Sequence, residues 1–170
     1  VTVPNPEHFF EQAEQLVGSH ASRRPRQVDL RRAVSNAYYA VFHATLTAAA
    51  DSAVGPGARA SAPYRLVYRS VRHVTLRELC KEIQKPTPSA KYRQYVPQGG
   101  FGMNIRTFAE ATVDLQERRE AADYDPLEIF NRSAARFAIN QGRSALHRFE
   151  AAPKSDRDAF LSLLLFPPRS

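Results

Sequence analysis

Tryptophan is absent from this 170-residue chain, and cysteine and methionine occur once each. The single cysteine, Cys80, excludes an internal disulfide and a cysteine-rich zinc site, and it suits a reducing compartment. No apolar run approaches the ~20 residues of a membrane span, and no signal-peptide pattern opens the chain. The expectation is therefore a cytoplasmic protein without membrane contact. A Gly-rich phosphate loop is missing, no His, Glu or Asp cluster has metal-ligand spacing, and no serine or cysteine stands in a nucleophile motif with a histidine. No metal and no cofactor is expected. There is no convincing strand and no internal repeat.

What remains is apolar content of 43%, ordinary for a globular chain, in a length that suits one domain over residues 1–170. The net charge of +7 is unevenly placed. Residues 1–19 hold three acidic and no Lys or Arg side chains, residues 20–95 hold 14 Lys/Arg against 4 Asp/Glu, and residues 96–170 hold 10 of each. The middle of the chain should present an electropositive surface suited to phosphates or an acidic partner, or else a merely solvated basic face.

Helical periodicity organises the chain around Leu30–Ala44. Leu30, Ala33, Val34, Ala37, Tyr38, Val41 and Ala44 share a broad apolar face. Arg32, Asn36, Tyr39 and His43 form a second line at spacings of four, three and four, a polar seam facing another helix or a cleft. Asn5-Pro6 reads as the cap and first position of a helix ending near Gly18. The basic segment Ser19–Gln27 leads into the central helix, expected from Gln27 or Asp29 to about Ala50. Tyr64 to about Ile83 reads as one helix, with Tyr64, Val67, Tyr68, Val71, Val74, Thr75 and Leu79 on its core face. Arg65, Arg69 and Arg72 stripe its side, a ridge for phosphates or for salt bridges. His73 is expected on the surface or as a cap. Residues 85–104 read as a long loop whose Lys91, Tyr92, Arg93 and Tyr95 could stack bases and hold phosphates, or could simply dock the loop.

Ile105–Asp123 is the next helix, with Arg119 on its core line and Asp123 one turn later as its ion-pair partner. Asp125-Pro126-Leu127-Glu128 reads as the start of a helix to Phe149 burying Leu127, Phe130, Phe137 and Phe149. A short apolar helix, Phe160–Phe166, closes the chain. The result is about six helices, all-α, with an antiparallel four-helix-type core and additional terminal helices. If the seam faces Arg119, Asp123 and Tyr124, the two groups make one polar site. Arg32 and Arg119 could hold a phosphate there, and His43 could act as acid or base. A satisfied network that fixes helix register is the other reading.

Ser35-Asn36-Ala37-Tyr38-Tyr39-Ala40-Val41-Phe42-His43-Ala44, followed by Arg119-Glu120-Ala121-Ala122-Asp123-Tyr124, resembles two motifs of the HEPN superfamily, "S-x-A-Y-Y-A-x-F-H-A" and "R-x-x-A-D-Y". The resemblance spans about 95 residues in the expected order. It implies a HEPN-like helical bundle, usually a homodimer, with the polar site in a cleft at the dimer interface. Active members are metal-independent endoribonucleases of toxin–antitoxin, phage-defence and RNA-processing systems. Their signature is an arginine, four to six residues, then histidine. Here the fifth residue after Arg118 is Asp123, and no Arg-x4–6-His occurs anywhere in the chain.

Three functional expectations follow. The first is RNA or nucleotide binding, with Arg65, Arg69, Arg72, Lys91 and Arg93 as phosphate contacts. The second is an altered endoribonuclease using Arg119, Asp123, Tyr124 and His43. The third is an interaction module partnering a small nucleotidyltransferase.

Overall fold

The computed structural model describes residues 3–18 and 25–168. Within them the chain is all-α: α1 Pro6–Gly18, α2 Gln27–Val54, α3 Ala62–Ser70, α4 His73–Gln84, α5 Ala90–Arg93, α6 Met103–Tyr124, α7 Arg132–Ala151 and α8 Lys154–Leu165, with one 3₁₀ turn at Pro56–Ala58. Most of the segment Ser19–Gln27, with its arginines Arg23 and Arg24, lies outside the described residues.

Helix α2 is the axle. Its 28 residues span roughly 42 Å at 1.5 Å per residue, and α1, α3, α6, α7 and α8 all pack on it. Burial therefore extends around most of its circumference, as an all-round apolar helix requires. Small side chains at Ala33, Ala37 and Ala40, each fully buried, let neighbours approach closely. Gly55, at φ 97, ends the helix in a backbone region that L side chains rarely adopt. Side-chain bonds fix the neighbours' directions. Gln12 meets Asn36 while Phe9 meets His43, so α1 runs antiparallel to α2. Asp123 meets Ser35 while Arg119 meets Tyr39, so α6 does too. Helix α4 lies antiparallel to α6 through Arg77–Glu117 and Gln84–Ala109, as does α7 through Gln141–Asp114 and Arg148–Asn104.

The expected helix count and four boundaries need correcting. The last helix, read as Phe160–Phe166, runs Lys154–Leu165, with Pro153 at its cap and Asp156 of its first turn accepting from the Gly102 N–H. Tyr64–Ile83 is two helices, because Val71 and Arg72 are extended (ψ 128 and 154). Ser70, Val71, His73, Val74 and Thr75 are all poor helix formers, and the break turns His73 inward. Val74 is accordingly exposed, and the buried face of α4 is Leu76, Leu79, Cys80 and Ile83. The loop 85–104 contains the short helix α5, and α6 starts at Met103; Tyr92 docks the loop while Tyr95 stays exposed. Helix α7 begins at Arg132 with Asn131 as its cap, not at Asp125. Asp125 instead accepts from the Leu127 N–H in a local turn, and Leu127 is 85% exposed. Phe137, expected inside, is also exposed, with the Arg118 guanidinium 5.1 Å over its ring.

Two side chains of α2 account for the irregular stretch 125–131. Gln27 makes a reciprocal pair with the Phe130 backbone, its Nε2 donating to the carbonyl and its Oε1 accepting from the N–H. Arg31 donates to the carbonyls of Ala122, Asp125 and Glu128. Those carbonyls include C-terminal acceptors of α6 that no helical N–H can reach. Arg31→Ala is expected to cost about 2 kcal/mol, since charge-assisted bonds count for roughly 1.5–3 and these are partly solvent-screened. Arg32→Ala, at its exposed neighbour, should fall within about 0.5 kcal/mol of wild type. Urea midpoints of the two variants provide the comparison.

Candidate functional site

The site is built where α2, α3, α4 and α6 converge. On α2, Ser35, Tyr38, Tyr39, Phe42 and His43 cover a little over two turns. Ser35 and Tyr39 are one turn apart and meet Asp123 and Arg119, one turn apart in the opposite direction on α6. Ser35 Oγ donates to Asp123 Oδ1 at 2.5 Å, and Arg119 Nη2 donates to Tyr39 Oη at 2.7 Å. Arg119 Nε and Asp123 Oδ2 are 2.8 Å apart, with the Arg119 side chain 15% exposed. The N–H direction misses the carboxylate, so this buried Nε donor makes no hydrogen bond. The guanidinium carbon also lies 5.4 Å from the ring centres of both Tyr39 and Tyr124, within cation–π range.

Two imidazoles complete the group. Tyr38 Oη and His73 Nδ1 are 2.7 Å apart, and the His73 ring stacks on Phe42 with centroids 3.8 Å apart. Burial pushes the Tyr38 phenol well above its ordinary range, Arg119 opposing weakly, so it keeps its proton. With no other acceptor for that proton among the described residues, Tyr38 donates to Nδ1, which leaves Nε2 of a neutral His73 protonated. His43 Nδ1 lies 2.7 Å from Tyr68 Oη, and its ring stacks on Phe9 at 5.1 Å. Burial lowers His43 below its ordinary 6.5. His73 is lowered by burial first and then by the charges of Arg119 and His43, with Glu120 opposing. Both are neutral at pH 7.

Of the residues singled out from the sequence, Arg119, Asp123, Tyr124, Tyr39 and His43 come together here. Arg32 does not: it is exposed and unpartnered among the described residues, its expected place being taken in energetic terms by Arg31. Asn36 is buried and turned to α1, where its Nδ2 donates to Gln12 Oε1 at 2.8 Å. Arg65 and Arg69 sit exposed on α3, and Arg72 at the cap of α4, on elements that border the group. They are not one ridge, because the break at Val71–Arg72 separates Arg72 from the other two. Lys91 and Arg93 lie by the start of α6, roughly 25 Å along that helix from Arg119.

Sequence reading missed Ser35, Tyr68 and His73, and took Tyr38 as purely apolar. A buried phenol needs a hydrogen-bond partner, and that requirement on Tyr38 was the available signal for His73. Among the described residues no three His, Cys, Asp or Glu side chains converge as a metal site, and no helix is long and apolar enough to cross a membrane. No protein-family model, curated protein or solved structure matches the chain.

The two depressed imidazoles carry a pH signature. Their folded values lie below the unfolded one, so the unfolded chain binds protons first as pH falls. Stability is full above about pH 6.5 and declines as pH drops through 6.5 toward the lower folded values. Replacing both, His43→Gln with His73→Gln, should flatten that decline. Urea midpoints at about pH 7.5 and about pH 5.5 measure it.

Proposed function

We propose that this chain is a HEPN-like helical protein that binds RNA or a nucleotide through Arg119 and the side chains around it. The observation that carries the reading is the Arg119 guanidinium itself. It is held by Asp123 and Tyr39 and flanked by two tyrosine rings. Its Nη2 donates to Tyr39 and its Nε lies 2.8 Å from Asp123 Oδ2, which leaves Nη1 with no acceptor among the described residues. A phosphate oxygen would supply the missing acceptor, and the Tyr39 and Tyr124 rings offer a base something to stack on. Arg65, Arg69 and Arg72, exposed and without ion pairs among the described residues, add a field that draws polyanions toward this face. The motif resemblance points the same way. It also suggests a homodimer and a role in a prokaryotic defence or toxin–antitoxin system; partnering a small nucleotidyltransferase, with no nucleic acid involved, is the alternative to RNA binding.

A second reading, metal-independent RNA cleavage, draws on the Tyr38–His73 pair. The expected Arg-x4–6-His spacing is missing from the sequence, yet an imidazole from another helix stands close enough to Arg119 to feel its charge. His43, neutral at pH 7, could take the 2′-hydroxyl proton as the 2′-oxygen attacks the adjacent phosphorus. His73, whose Nε2 carries its proton, could give that proton to the leaving 5′-oxygen, yielding a 2′,3′-cyclic phosphate, and Arg119 would stabilise the charge on phosphorus.

Incubation with defined RNAs in EDTA, beside Arg119→Ala, His43→Ala and His73→Gln, separates the two. Intact RNA with salt-sensitive binding supports the first reading. Cleavage lost in the Arg119 and histidine variants establishes the second. Intact RNA with no binding sinks both and leaves a protein partner as the function.

A further inference from the structure

At the far end of the bundle from Arg119, the loop between α4 and α6 borders a half-open cavity of about 360 Å³. Its volume falls in the range of small-molecule sites, ~300–1,000 Å³. Apolar walls come from Leu79, Ile83, Tyr92, Phe101 and Leu163, all buried. Two arginines stand on the lining, Arg93 from α5 and Arg106 from the first turn of α6. Both are exposed, and neither side chain makes a hydrogen bond or ion pair among the described residues.

The lining also contains one carboxylate, Glu82, which is already spoken for. Its Oε1 accepts from the Ser89 N–H, and its Oε2 accepts from Lys85 Nζ and Ser89 Oγ. Burial raises the Glu82 carboxyl, and these bonds outweigh burial to hold it below its ordinary range. It therefore stays ionised and cancels Lys85. The two guanidiniums remain as uncompensated charge beside an aromatic and aliphatic wall.

We propose that this cavity binds a small organic phosphate with a flat or apolar body, the phosphate lying between Arg93 and Arg106 and the body against Tyr92 and Phe101. Guanidinium forks match phosphate oxygens in geometry as well as in charge. The apolar wall distinguishes the site from a surface arginine pair, because it rewards a ligand that has a body to bury. Leu163 of α8 also lines the cavity, so an occupant would tie α8 to the 85–101 loop.

The test is calorimetric titration of the full chain with four nucleoside monophosphates, phenyl phosphate and inorganic phosphate. Binding of at least one organic phosphate is expected, at least tenfold tighter than inorganic phosphate. Arg93→Gln with Arg106→Gln should weaken it by about tenfold or more at an unchanged melting temperature, because both side chains are exposed. Arg119→Ala should leave it unaltered, which separates this cavity from the site around Tyr39. Val96→Trp, placed on the lining at a half-buried position, should block the organic ligands and spare the fold. Equal affinity for inorganic phosphate, no binding by any probe, or binding indifferent to the arginine pair each overturns the proposal.

Discussion

Arg119→Ala should lower RNA affinity at low salt by about tenfold to a hundredfold, as loss of a charge-assisted contact of roughly 1.5–3 kcal/mol implies. The magnitude follows from where the guanidinium sits. Asp123, anchored by Ser35, covers the Nε side and Tyr39 takes Nη2, which leaves Nη1 open. A phosphate can therefore add an acceptor without first evicting Asp123. Arg119→Lys keeps the charge but loses the planar fork and its stacking between Tyr39 and Tyr124, so it should recover only part of the affinity. Asp123→Asn removes a competing negative charge, and under the binding reading it should hold or raise affinity. Fluorescence anisotropy with a labelled single-stranded RNA provides all three comparisons.

The largest effect on stability is expected at Gly142→Val, about 3 kcal/mol of destabilisation. Gly142 lies where α7 crosses α2. A Cβ there would sit 2.8 Å from Phe10 Cε1 and 3.2 Å from the Ala37 carbonyl oxygen. Phe10 cannot swing away easily, because it is 1% exposed and the Arg143 guanidinium lies 5.1 Å over its ring. Arg143 is in turn paired with Glu7 and Glu14 of α1. In an open helix, Gly to Ala would gain about 1 kcal/mol. Here the gain and the clash oppose each other, and Gly142→Ala should lose about 1 kcal/mol net. Urea unfolding at constant m-value tests both. A stabilised Gly142→Ala would mean that α7 can back away from α2 freely.

Where local chemistry decides the structure, it was readable in advance. Asn5-Pro6 caps and starts α1: Asn5 Oδ1 accepts from the Glu7 N–H. The four-residue spacing of Arg119 and Asp123 places them within an ion-pair distance of 2.8 Å. The misreadings arise where a distant partner overrides a local pattern. Asp125-Pro126-Leu127-Glu128 has every sign of a helix start, yet Arg31 holds the Asp125 and Glu128 carbonyls, and Gln27 the Phe130 backbone, in an open stretch. No pattern within residues 125–131 encodes that pull. Arg31 and Arg32 are adjacent, and their helical phases differ by only one step. Periodicity favoured Arg32, whereas the three waiting carbonyls select Arg31. His73 was hidden because a single break at Val71–Arg72 rotates everything after it, and a continuous helix would have carried the imidazole elsewhere. The site was therefore half legible: its α2 and α6 members share an antiparallel register, while its α4 member depends on an irregularity.

The most direct measurement is RNA affinity against salt for wild type and Arg119→Ala, from about 50 to about 200 mM. For a single strand, the logarithm of affinity should fall with the logarithm of salt at about −0.7 per neutralised phosphate. Binding through Arg119 and the bordering arginines would give wild type a slope near −2 to −3, and Arg119→Ala a weaker affinity with a slope shallower by about 0.7. An affinity that ignores salt, or a variant indistinguishable from wild type at every salt concentration, would contradict an RNA site at Arg119.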